Sequence, residues 1–311
     1  MIDDIRGLHH VTSLATGAAA NNAFFTRTLG LRRVKTTVNF DKPEVYHLYY
    51  GDEIGRAGTV MTYFPFPKAR RGTRGAGEVS EVGFSVPAGT LEAWGARLAE
   101  AGVVAAQRAS CPFGAQCLRF LGPDGEALAL AESPDDRRTA WRAGPVPDDI
   151  AVLGFAGVRI MLRDIAPTAD LLSLMGYREA AADGAVRRFV LAHGNGADTV
   201  ELAHVPDAPD AVQGAGSVHH VAFSVADRAA QTRVHKALTE AGFRVTRPMD
   251  RSYFWAIYFR SPGGVLFEIA TEGPGFGADE DLGHLGEELK LPEQHAHLRP
   301  WLQENLEPLE S

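Results

Sequence analysis

Apolar and polar positions along the chain fall into a phrase that recurs four times: a strand-like apolar run, a helical stretch of about three turns, a glycine, then further strand-like runs. The opening strands are expected at Leu8 to Leu14, Val82 to Val86, Phe155 to Leu162 and Val218 to Val225, all rich in β-branched or aromatic residues. Gly30, Gly102, Gly176 and Gly242 close the helical stretches at nearly even spacing, each followed by an apolar residue that can re-enter a core. Later strands follow at Glu44 to Tyr50 and Thr59 to Phe64 in the first copy, and at Trp255 to Arg260 and Val265 to Ala270 in the last. Gly122 to Gly125 and Ser261 to Gly264 carry turn chemistry between them. Each copy therefore reads as a βαβββ unit, and the chain as an α+β protein of four repeats: residues 1–67, 78–132, 150–205 and 215–272.

Between copies two and three, Ser133 to Asp149 is rich in proline and charge and reads as a linker (133–149). Pro206 to Gly216 is a shorter join, and residues 273–311 form an acidic, histidine-containing tail that could be a lid or a packing arm. The basic, glycine-rich Lys68 to Gly77 reads as a solvated loop rather than an anion site, because no helix start or Gly-x-Gly-x-x-Gly pattern surrounds it.

Composition narrows the function classes. With 31 Lys+Arg against 39 Asp+Glu, the net charge of -8 disfavours phosphate backbones and anionic lipid, so neither nucleic acid nor membrane is expected as a partner. The start lacks a basic-then-apolar signal pattern, and a cytoplasmic location is expected. In that reducing setting Cys111 and Cys117 are expected as inert free thiols rather than a local disulfide or metal pair.

The chemistry concentrates in the first and last repeats. His9-His10 and His219-His220 lie inside the opening strands of copies one and four, and copies two and three have no histidine there. Side chains alternate along a strand, so one member of each pair is expected to face a given cavity and the other to serve elsewhere. In Val265-Leu266-Phe267-Glu268-Ile269-Ala270 a single carboxylate interrupts an apolar strand, and a buried Glu268 needs a cation or a basic neighbour. Two imidazoles and one carboxylate are the donor set of non-haem iron(II) oxygen chemistry, which leaves positions for substrate and dioxygen. Aligning Gly58 to Thr62 with Gly264 to Glu268 puts Thr62 opposite Glu268, and a neutral hydroxyl is a poor fourth ligand. Glu201 imitates Glu268 in copy three, but Gly157 takes the place of its histidine, so an ion pair is expected there. Arg251 and Tyr258 suit a bound phenol, a guanidinium to hold negative charge and a hydroxyl to donate or shuttle a proton. Thr12 shares a strand face with His10. Tyr46 to Tyr50 is an aromatic strand that serves equally as pocket wall or core.

The four-repeat plan together with Leu8 to Thr12, Tyr46 to Asp52, Gly58 to Thr62, Val218 to Phe223 and Gly263 to Glu268 resembles the vicinal oxygen chelate superfamily, and within it the ring-cleaving dioxygenases that act on hydroquinones. The likeness runs along nearly the whole chain, including Gly275-Phe276 and Asp279 to Asp281. It implies two barrel-shaped glyoxalase-like domains, repeat one pairing with repeat four and repeat two with repeat three. It also implies an Fe(II) site on His10, His220 and Glu268, with Mn(II) an alternative, and supporting or acid–base roles for His9, Thr12, His219, Arg251 and Tyr258. The partners implied are a small aromatic substrate and O2, in a homo-oligomer. An extradiol catechol dioxygenase, a metal-dependent isomerase or lyase, and a non-enzymatic drug-sequestering protein stay open as alternatives on the same scaffold.

Overall fold

A computed structural model of the chain describes residues 1–103, 106–114 and 116–310. The first repeat runs β1 (Ile5–Ala15), α1 (Ala18–Ala23, continued by a π turn over Phe24–Thr28), β2 (Arg32–Val38), β3 (Tyr46–Gly51) and β4 (Val60–Pro65). The second has β5 (Glu78–Val86), α2 (Leu91–Glu100), β6 (Gln107–Ser110), β7 (Gln116–Leu121) and β8 (Ala127–Glu132). In the third come β9 (Gly154–Leu162), α3 (Ala166–Leu174), β10 (Arg178–Asp183), β11 (Val186–Val190) and β12 (Thr199–His204). The fourth contains β13 (Val218–Val225), α4 (Arg228–Glu240), β14 (Met249–Asp250), β15 (Phe254–Arg260) and β16 (Leu266–Pro274), and α5 (Arg299–Asn305) lies in the tail. The α+β, four-repeat reading is borne out, with strand ends shifted by a few residues. No helix among the described residues is long and apolar enough to cross a membrane.

Local chemistry sets these elements. The carboxylate of Asp227 caps α4 by accepting from the Ala230 amide at 2.8 Å, a contact whose loss typically costs about 1 kcal/mol. Ala230, Val234 and Leu238 recur at helical spacing on the buried face. Gln231 on the same face donates to the carbonyls of Trp255 and Ile269, tying α4 to β15 and β16. Gly242 then ends the stretch at φ 91°, and Gly30, Gly102 and Gly176 adopt the same left-handed geometry in their own repeats.

Two eight-stranded sheets result. One runs β14-β15-β16-β13-β1-β4-β3-β2 and so joins the strands of the first and fourth repeats; the other runs β10-β11-β12-β9-β5-β8-β7-β6 and joins those of the second and third. At the centre of each, the opening strands of two repeats pair antiparallel, β1 with β13 and β5 with β9. This junction positions the site, because it brings residues some two hundred positions apart into register.

Three expectations about the connections change. Cys111 and Cys117 form a disulfide rather than two free thiols: the β6–β7 hairpin places their Cα atoms 5.8 Å apart, within the span of such a bond. A compartment argument from composition cannot see that hairpin. The Lys68 to Gly77 loop is not simply solvated, since Arg71, Thr73 and Ala76 bridge to Ala215, Val212 and Asp210 of the other join. Side chains at Gly75 or Gly214 would collide with the facing backbone, so both glycines are required by close approach. The tail, finally, is a packing arm. Buried Lys35 of β2 holds Asp279 and Glu280, the Glu307 carboxylate accepts from the amides of Ala18 and Ala19 at the start of α1, and Leu302 is fully buried.

Candidate metal centre and substrate cavity

The site stands on β1, β13 and β16. In β1–β13 pairing, His10 lies opposite Ala222 and Thr12 opposite His220; Glu268 of β16 lies beside Ala222. The register slips by one residue between Leu8 and His10 on β1, and again opposite Thr12–Ser13 on β13, so His9 and His219 each occupy a bulge. The division expected of adjacent strand residues holds at the first pair, where His10 lines the adjoining cavity and His9 does not, and fails at the second. His219 and His220 line the same cavity, and within each pair the two rings face each other through Nδ1, at 2.9 Å for His9–His10 and 2.8 Å for His219–His220.

Donor atoms of His10, His220 and Glu268 converge, all lying within 4.8 Å of one another. His10 Nε2 is 3.2 Å from His220 Nε2, and Glu268 Oε2 lies 3.0 Å from His220 Nε2 and 3.5 Å from His10 Nε2. Neither oxygen of this fully buried carboxylate has a hydrogen-bond partner among the described residues. Burial opposes ionisation of Glu268, and only positive charge or a donated proton from the imidazole side favours its carboxylate.

Tautomers follow from the outer contacts. Burial, with His10 beside it, holds His9 down at about 3, so the ring is neutral; its Nε2–H donates to the Thr271 carbonyl at 3.1 Å. His9 Nδ1 must then accept from His10 Nδ1–H, which leaves His10 Nε2 with a lone pair facing the cluster. His219, held at about 4 by burial and by His220, makes the matching Nδ1 contact to His220, but no partner on its Nε2 fixes which ring donates. The His10 lone pair and an orphan carboxylate, buried together beside the His220 ring, repel one another. A divalent cation at their centre relieves both, so the donor set fits a metal ion. Phe254 packs on both His9 and His10, ring centroids 5.2 and 5.1 Å away, and fixes their planes.

Glu268 lines a cavity of about 550 Å³ together with His10 and His220. Leu14, Phe40, Phe64, Phe66, Met249, Phe254 and Leu266 give it apolar walls. Arg251 and Tyr258 line it together, Arg251 Nε–H donating to Tyr258 Oη at 3.1 Å. Burial and the charge of Glu268 push the Tyr258 phenol far up, keeping it protonated. Arg251 reaches inward from a tight turn in which Ser252 takes φ 65°, an unusual conformation for a residue with a Cβ.

The structure assembles residues that sequence reasoning left as undifferentiated wall. Thr12 Oγ1 lies 2.8 Å from Thr62 Oγ1, His47 Nε2 lies 2.9 Å from Thr62 Oγ1, and Tyr49 Oη lies 2.8 Å from His47 Nδ1. His47 and Tyr49, two apart on β3, both line the cavity, while Leu48 and Tyr50 join the core. The two-residue period of that strand was the available signal.

Comparisons with known proteins bear on the family and the fold. Residues 152–269 match the family model described as Glyoxalase/Bleomycin resistance protein/Dioxygenase superfamily. MhqO of Bacillus subtilis (strain 168), a protein named provisionally as a ring-cleaving dioxygenase, is 38% identical over 98% of this chain and 96% of its own. The chlorohydroquinone/hydroquinone 1,2-dioxygenase of Sphingobium indicum is 34% identical over 93% of this chain and 92% of its own. The crystal structure of a protein from Bacillus subtilis subsp. subtilis str. 168, named provisionally as a dioxygenase, superposes with a TM-score of 0.94 at 37% identity, covering 99% of this chain and 98% of that one. Glyoxalase I from Zea mays superposes at 0.65 with 13% identity over 86% and 92% of the two chains, a likeness of fold alone.

Proposed function

Because the chain belongs to the ring-cleaving dioxygenases of the glyoxalase/bleomycin resistance protein/dioxygenase superfamily, we propose that it is a non-haem Fe(II) enzyme that inserts dioxygen into the ring of a 1,4-dihydroxybenzene. The observation that carries this reading is the convergence of His10, His220 and Glu268 in the lining of an aromatic-walled cavity that also presents Arg251 and Tyr258. His10, His220 and Glu268 would hold the ion, which supplies Lewis acidity toward a phenolic oxygen and the electron-transfer chemistry that ground-state dioxygen needs.

The remaining work falls to the chain's own side chains. The apolar walls take up the ring and exclude water, which strengthens every charge interaction inside. Arg251 offsets negative charge as the phenol loses its proton, and its hydrogen bond fixes where the Tyr258 hydroxyl sits, so that Tyr258 can donate to the oxygen on which charge develops. His9, tied to the Thr271 carbonyl, orients His10. His219 orients His220 through Nδ1 and has no further protein partner on Nε2 among the described residues, which leaves that nitrogen to pass a proton.

The test is anaerobic iron loading followed by oxygen uptake with hydroquinone, chlorinated and methylated hydroquinones, and catechol. Uptake and ring-opened product with the 1,4-diols are expected. Uptake with catechol alone would move the enzyme to the extradiol class, and turnover without oxygen would move it to the isomerases or lyases.

A further inference from the structure

Four consecutive residues that line the main cavity, Asn39 to Lys42, belong to the loop between β2 and β3 rather than to a strand. Asp41 and Lys42 are also exposed, so the loop stands where the cavity meets solvent. It is folded on itself: the Asn39 side chain accepts from the amides of Asp41 and Lys42, and the Asn39 amide donates to the Val45 carbonyl.

Two contacts carry this loop across the opening. β2 and β14 are the two edges of their sheet, yet Phe40, just past β2, meets Arg251, just past β14, with the guanidinium 5.5 Å from the ring centre. Lys42 Nζ lies 5.5 Å from the centre of the Phe66 ring, which follows β4. Cation–π attraction acts within about 6 Å and is weak at exposed sites, so neither clasp is strong.

The loop is also held from behind. His295 Nε2–H donates to the Phe40 carbonyl at 2.9 Å, a carbonyl being able only to accept. His295 sits on an arm that is anchored on both sides of it. Before it, Leu289 bridges to Thr36 of β2 and the Lys290 amide donates to the Thr36 carbonyl. After it, Leu302 is fully buried and Glu307 accepts from the start of α1. The tail therefore does not depend on His295, whereas the loop gains from it a fixed point of support.

We infer that His295 is a positioning residue that, through the Phe40 carbonyl, holds the β2–β3 loop closed over the mouth of the cavity and so retains the aromatic substrate. The inference rests on reading that cavity as the substrate site. It gives the tail, distant in sequence from all three candidate ligands, a part in substrate binding.

Two measurements test it. In hydrogen exchange of the full-length protein, His295→Ala should speed exchange of the Asn39, Lys42 and Val45 amides roughly 3- to 10-fold, the worth of one hydrogen bond, and leave the Lys290 amide unchanged. His295→Gln, which can still donate to a carbonyl, should restore the slow exchange. Unchanged loop exchange, acceleration that spreads along the tail, or equal acceleration in both variants would overturn the inference. In oxygen uptake by the iron-loaded protein, His295→Ala should raise the KM for hydroquinone by a similar factor. Its kcat should stay within about twofold, because Arg251 keeps its bond to Tyr258. An unchanged KM, or a fall in kcat without a rise in KM, would also overturn it. Absence of uptake by the wild-type protein with every diol would instead overturn the proposed function, and the exchange result would still decide whether His295 holds the loop.

Discussion

The two sheets carry the same junction and opposite chemistry. In β5–β9 pairing, Glu81 lies opposite Arg159 and Gly83 opposite Gly157, the counterparts of His10 opposite Ala222 and Thr12 opposite His220. Glu201 lies beside Arg159 as Glu268 lies beside Ala222. Even the bulges recur, at Ser80 and Ala156 where the first sheet has His9 and His219. The second sheet thus holds Glu81, Gly157 and Glu201 where the first holds His10, His220 and Glu268. Arg159 reaches between its two carboxylates, at 3.0 Å from Glu81 and 2.6 Å from Glu201, over a cleft of about 210 Å³. Both junctions collect carboxylate charge in a largely buried place. One answers it with a cation built into the chain, the other with neutral donors that suit a cation taken from solution.

The largest effect expected from breaking that contrast comes at Glu268. Glu268→Gln should lose metal affinity by more than the roughly 10- to 100-fold that an outer partner costs, and oxygen uptake should fall to background. Without metal the same variant should melt no lower than the wild-type protein, because it removes a buried carboxylate whose oxygens lack partners. Metal analysis and paired melting curves check both halves; a metal-free variant that melts well below wild type would show the carboxylate to be satisfied by the protein itself. Arg159→Met makes the opposite test. It strips the built-in cation, but Arg119 still pairs with Glu81 and Arg188 with Glu201. The loss should be about 2–3 kcal/mol in urea unfolding, short of the roughly 3–5 typical of a stranded buried pair, with activity per folded molecule intact. Next in size, Tyr258→Phe should cut kcat roughly 10- to 100-fold with iron retained, and an unchanged rate would remove Tyr258 from the chemistry.

Much of this was legible before any coordinates. The glycines that end the helices and the apolar runs before them specify four units, because left-handed turns and strand periodicity are local properties. Glu268 stood out as one charge in an apolar strand, and Glu201 was separable from it because Gly157 removes its histidine. What stayed hidden was non-local. Alternation along an ideal strand separates His9 from His10, and only the slipped β1–β13 register brings each pair together through Nδ1. The Thr12–Thr62–His47–Tyr49 chain crosses three strands, and the Cys111–Cys117 disulfide depends on a hairpin geometry that residue counts do not encode.

The finest contrast is between the two bulge histidines, which the repeat makes equivalent and their surroundings do not. His9 is buried and spends Nε2–H on the Thr271 carbonyl, so its ring is pinned in one tautomer. His219 makes the matching Nδ1 contact to His220 but is only partly buried, and it lines a second cavity of about 350 Å³ beside Arg260 and Gln213 as well as the main one. A pinned ring can orient a ligand and do little else, whereas a ring with one nitrogen open can also exchange a proton. His9→Asn should therefore act on binding, raising the iron dissociation constant about tenfold while the fully loaded enzyme turns over near the wild-type rate. His219→Asn should leave iron affinity within a few-fold and lower kcat by about tenfold instead. Iron titrations alongside kcat at saturating metal separate the two, and identical profiles for both variants would mean that the bulges serve one orienting purpose and that proton movement runs elsewhere.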